Sequence, residues 1–140
     1  MSRPIRQQSI QGASAATQGE EYAAKGHNSL GLFVVAQGLD KAGGDVFTVR
    51  LEVEGPQGEW SPIYDDSGTV IGELTGSEAV DVDSDGSTYN AFTAVHGVPA
   101  PSIRANLTDY TDGGSGFTVD AYVLGAGNAG TGSAYLSGSV

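Results

Sequence analysis

The chain reads first as a series of short runs in which apolar and polar residues alternate, cut by turns rich in glycine. The clearest run has Phe47, Val49, Leu51 and Val53 interleaved with Thr48, Arg50, Glu52 and Glu54. Successive side chains of a strand point to opposite faces, so this spacing predicts a strand with one apolar and one polar face. Ahead of it, Leu30, Leu32, Phe33, Val34, Val35 and Ala36 make a near-continuous apolar run, as a central strand covered on both faces would, ended by Gly38, Gly43 and Gly44. After it, Gly55-Pro56-Gln57-Gly58 is a turn into a broken strand over 59–64, where Pro62 has no N–H for a ladder and predicts an edge or a bulge. The turn Asp65-Asp66-Ser67-Gly68 then leads into residues 69–74, which reads as a hairpin. Further strands are predicted over 79–82 and 89–95. Ile103, Ala105 and Leu107, and later Phe117, Val119, Ala121 and Val123, alternate as two runs expected to be sequential antiparallel partners.

The two ends differ. Residues 1–27 show no period of two or of 3.6, with Ile5, Ile10 and Tyr22 as their bulky groups, and are read as an extended arm with room for a short helix over 20–25 between Gly19 and Gly26. Residues 125–140 are Gly, Ala and Ser with Tyr135 and Leu136 as anchors, and are read as a tail or a last edge strand. Residues 28–124 then form the domain. The expectation is an all-β fold, an antiparallel β-sandwich or jelly roll of about seven or eight strands.

Charge narrows the partners. Seventeen acidic and six basic residues among 140 give a net charge of −11. Such a surface is repelled by nucleic acid and by anionic membranes, whose binding rests on Lys and Arg. Lysine is confined to Lys25 and Lys41, and cysteine is absent, so no disulfide, thiolate metal site or Cys nucleophile is expected. This balance is also that of proteins kept in concentrated salt, where screening removes self-repulsion; the plainer alternative is an acidic protein of ordinary surroundings. No run nears the roughly 18 apolar residues of a membrane span, and no apolar stretch follows Arg3 and Arg6 as in a secretory signal.

Few groups suggest chemistry. His27 and His96 are the histidines, and no nucleophile elbow, His-Glu-x-x-His or phosphate loop is found. A pair of carboxylates converging in a cleft would suit glycoside hydrolysis, yet the reading expects no enzyme and no cofactor. Asp81, Asp83 and Asp85 before Gly86 repeat the first half of an EF-hand loop, the alternate oxygens that a Ca²⁺ or Mg²⁺ ion takes, but Phe92 stands where the closing Glu would be. A solvated turn is the plainer reading. Asn106-Leu107-Thr108 matches a glycosylation acceptor but falls in a predicted strand. Trp60 and Tyr64 beside Pro62 offer either a glycan platform or interface aromatics, and the simpler expectation for Trp60 is a core plug.

Residues 28–123 resemble the small β-sandwich virion proteins of tailed bacteriophages and haloarchaeal tailed viruses. The residues that carry this are 29–35 with Gly38-Leu39-Asp40, then 47–55 followed by Gly58-Glu59-Trp60-Ser61-Pro62-Ile63, and finally 103–108 and 116–123. The resemblance implies a capsid decoration, turret or tail-associated subunit in the virion, assembled in the host cytoplasm, and no catalytic residue. It further implies a homo-oligomer that docks on other virion proteins such as the major capsid protein. The alternative is a carbohydrate- or cell-surface-binding module.

Overall fold

The computed structural model describes residues 5–40, 42–76 and 88–127. These form two antiparallel sheets packed face to face, with no α-helix among the described residues. The first sheet runs β1 (Ile5–Ala13), β11 (Thr118–Gly127), β4 (His27–Gln37), β9 (Thr88–His96) in spatial order. In the second, β10 (Ser102–Thr111) and β5 (Val46–Glu54) are central. The short segments β2 (Thr17–Gln18) and β3 (Tyr22–Ala23) pair with the free side of β10, while β6 (Trp60–Tyr64) and β8 (Glu73–Thr75) pair with the free side of β5. β7 (Val70–Ile71) pairs back on β6.

Two of these edges are single strands with an interruption. Pro62 lies opposite Glu52, and the next backbone contact on β5 is the bond from Leu51 N–H to Gly72 O, 2.9 Å. Residues 63–71 therefore loop out of one edge strand as a hairpin closed by Asp65 and Thr69, which answers the expected bulge at a proline without a donor. Counting each interrupted edge once and setting aside β7, which only pairs back on β6, the other ten described segments fill eight strand positions, ordered 1-8-3-6 in one sheet and 2-7-4-5 in the other. That is the order of a jelly roll.

The alternation read from sequence sets the core. Leu30, Leu32, Val34 and Ala36 of β4 and Val119, Ala121 and Val123 of β11 face Phe47, Val49 and Leu51 of β5 and Ile103, Ala105 and Leu107 of β10, all buried. β4 is central as expected, lying between β11 and β9.

Three expectations need correction. Residues 5–13 are not an arm: they pair with β11 from Ile5 opposite Gly125 to Ala13 opposite Val119, and Ile10 is buried in the core. Residues 20–25 make no helix, since Tyr22 and Ala23 pair with Ile103 and Ser102. The runs 103–107 and 117–123 are not partners, because β10 pairs with β5 and β11 with β4; the glycine-rich loop between them crosses from sheet to sheet. Strand β11 also takes residues 125–127 from the expected tail. The rest of that tail, and the strand expected over 79–82, lie outside the described residues.

Candidate interaction surfaces

Both sheets bury one face against the other, so function rests on their outer faces, their edges and the loops. The outer face of the second sheet is sealed by its own side chains. The Glu52 carboxylate accepts four hydrogen bonds: Oε1 from Arg104 Nε (3.0 Å) and Nη2 (2.8 Å), Oε2 from Arg50 Nε (2.8 Å) and Asn106 Nδ2 (2.9 Å). The strands impose this meeting, for Arg104 lies opposite Glu52 and Asn106 opposite Arg50. Trp60 reaches across and lays its ring 4.3 Å from the Arg104 guanidinium carbon. Trp60 is thus no core plug; it lids an ion pair in which Glu52 is 2% and Arg104 8% exposed. Burial alone would push the Glu52 carboxyl up, but the bonds from Asn106, Arg104 and Arg50 and the Arg104 charge outweigh it and hold its pKa below the usual value. Asn106 is itself spent on this network.

The outer face of the first sheet is built differently. Tyr122, Phe33 and Phe92 lie side by side across β11, β4 and β9, because Tyr122 is opposite Phe33 and Phe33 opposite Phe92. The Phe33 and Tyr122 rings meet edge-on at 6.5 Å. Phe92 is 55% exposed, and its ring rests on Gly31, where a Cβ would come within 2.8 Å of it. Val35 and Leu124 occupy the same face one row away on either side, each half-buried. In all four strands of this sheet the charged residues are Arg6 and Asp120. Asp120 accepts from Gln8 Nε2 (3.0 Å) and Gly12 N (2.8 Å). An aromatic face with Arg6 and Asp120 as its charges, on a chain of net charge −11, is the kind of patch that marks an interaction site.

Two further arrangements hold the sandwich shut. At one side the bulge between Gln8 and Ile10 turns Ser9 out of the pleat. Its buried hydroxyl accepts from Ala105 N (3.0 Å) on β10 and donates to Glu20 O (2.8 Å), tying β1 to the opposite sheet. Gly19 passes so close that a Cβ there would sit 2.2 Å from Ser9 Oγ. At one end, buried Asp45 accepts from Asp40 N (2.8 Å) and Gly113 N (2.7 Å) and from the Ser115 hydroxyl, joining the β4–β5 and β10–β11 loops, both of which cross between sheets. Burial would raise its pKa; the bonds from Ser115, Asp40 and Gly113 win and lower it. Tyr110, stacked on Phe117 and donating to its carbonyl, has its pKa raised by burial and by the charges of Asp112 and Asp45.

The residues singled out in sequence are scattered. Asp81, Asp83 and Asp85 lie outside the described residues; among the described residues no group of three or more His, Asp or Glu is placed to hold a metal ion. Trp60 and Tyr64 share one face of β6 with Pro62, Tyr64 being 55% exposed on the outlying hairpin. His27 is buried with Nδ1 3.3 Å from Ala24 O, and His96, opposite Ser29 on the neighbouring strand, has Nδ1 3.1 Å from Ser29 Oγ. A shallow open groove of about 700 Å³ beneath the 13–17 loop holds one carboxylate, Glu20, where glycoside hydrolysis generally uses two.

No protein-family model matches the chain, and no curated protein matches it. Among solved structures, the SPBc2 prophage-derived protein YomS superposes with a TM-score of 0.50 at 10% identity, over 90% of this chain and 97% of that one. At that identity the likeness is one of fold.

Proposed function

We propose that the protein is a non-enzymatic structural subunit of a virus particle, a capsid decoration or turret subunit of a halophilic tailed virus. It acts by associating with itself and docking on other coat proteins such as the major capsid protein. The observation that carries this reading is the outer face of the first sheet, where Tyr122, Phe33 and Phe92 stand in a row almost free of charge on an otherwise acidic molecule. Large exposed apolar patches serve contacts, and jelly rolls are a recurrent scaffold of viral coats. The fold likeness to a prophage-derived protein agrees with this. The acidic excess supports a brine setting, where it keeps a coat soluble.

The test is mass spectrometry of particles purified from the source culture: the reading expects the chain among the particle proteins in many copies, and its absence from intact particles overturns the reading. A second reading, a carbohydrate-binding module, is favoured by exposed Tyr64 in line with Pro62 and Trp60. A glycan screen that finds binding lost in Tyr64→Ala would move the assignment there.

A further inference from the structure

We infer that the outer face of the first sheet is covered by a second copy of this chain, in a two-fold dimer whose axis runs along the Tyr122–Phe33–Phe92 row. The inference rests on the reading of the protein as an assembly subunit and names its first partner.

Charge selects the partner. Two copies of a chain with net charge −11 repel each other across most approaches. Sixteen of the seventeen acidic residues lie off the strands of the first sheet, with Asp120 the exception. That sheet's outer face is the one broad surface described on which a copy meets another without stacking carboxylate on carboxylate.

The two charges it does carry are placed to complement each other. Asp120 lies in the row of Val35, on one side of the aromatic row, and Arg6, opposite Leu124, on the other. A two-fold rotation about the aromatic row exchanges those sides. It sets Asp120 of one copy facing the row of Arg6 of the other, one strand spacing of about 4.8 Å across, twice in the dimer. Phe33 and Phe92 then pack on their own counterparts, as an isologous interface requires. By strand spacing and rise, four strands of about nine residues present roughly 600 Å² per copy. About 1,200 Å² in total reaches the lower end of specific interfaces.

The experiment is the solution mass of the full chain by analytical ultracentrifugation. The wild type is expected at about twice the 14.2 kDa chain mass. Phe92→Glu, at an exposed position, is expected at the mass of one chain with unchanged far-ultraviolet circular dichroism. Should that variant lose its fold, Ala94→Arg on the exposed side of the same strand replaces it with the same expectation. Tyr64→Glu, equally exposed but on the hairpin of the second sheet, is expected to stay dimeric, and Arg6→Asp to weaken the dimer about tenfold through like-charge contact with Asp120. A monomeric wild type, a Phe92→Glu dimer or a Tyr64→Glu monomer overturns the inference, and an unchanged dissociation constant for Arg6→Asp overturns the axis. A monomer found in particles refutes the dimer and spares the virion reading; a dimer absent from particles does the reverse.

Discussion

The two sheets share one inner design and have opposite outer ones. Inside, both follow the alternation of their strands, with Val34 and Val123 on one side of the core answered by Val49 and Leu107 on the other. Outside, the second sheet places Arg50, Glu52, Arg104 and Asn106 across β5 and β10, satisfies them among themselves and lids them with Trp60. The first sheet leaves Phe92, Phe33 and Tyr122 with almost no charge around them. A buried carboxylate with four donors is held by the fold and holds it in turn, since removing one partner strands the others. Phe92, exposed, and the half-buried Phe33 and Tyr122 lie on a sheet whose core is already complete, and they add little to the monomer's stability. The polar groups of the second sheet are therefore satisfied within one chain, and the aromatic row of the first is the face we propose to meet a second copy.

Changes to the ion cluster of the second sheet should cost stability and leave the mass unchanged, while changes to the outer face of the first should do the opposite. The largest loss is expected for a chain starting at residue 28, which removes β1, β2 and β3 and with them the Ser9 tie; it should show no cooperative unfolding transition. Glu52→Gln should lower the unfolding free energy by about 3 kcal/mol in urea titration, because it leaves the buried Arg104 cation without its counter-charge. Acid should act through the same group. Glu52 and Asp45 titrate below their ordinary values in the folded chain, so their stabilisation is complete above about pH 5 and fades as pH falls through the carboxylate range. Glu52→Gln should flatten that slope. Ser9→Ala, which leaves the Ala105 N–H without its partner, should cost about 1–3 kcal/mol. Tyr64→Glu should change stability by less than about 0.5 kcal/mol.

Much of this was legible along the chain. The strands 46–54 and 27–37 follow directly from the alternation after Val46 and the apolar run after Leu30, and Pro62 announced the interrupted edge. The N-terminal strand was not legible, because β1 is an edge whose bulge breaks the period: Gln8 and Ile10 take consecutive partners on β11 with Ser9 left over. Sequence order misled at β10 and β11, where the loop 112–117 has the glycines of a hairpin yet crosses between sheets, held by Asp45 to the loop at 38–45. The ion cluster was half visible. Arg50, Glu52, Arg104 and Asn106 all fell on predicted polar faces, but their meeting depends on β5 and β10 being neighbours, which nothing local in the sequence states. The aromatic row was hidden likewise. Phe33 looked like part of a buried run, and only the register with Phe92 and Tyr122 shows it outside.

The most direct test of the difference between the two faces is hydroxyl-radical footprinting of the full chain over a dilution series, read at Phe33, Phe92 and Tyr122 against Trp60 and Tyr64. Oxidation of the first three is expected to rise on dilution while that of Trp60 and Tyr64 stays constant. Equal rates at Phe92 at every concentration, or protection that appears instead at Trp60 and Tyr64, would contradict it.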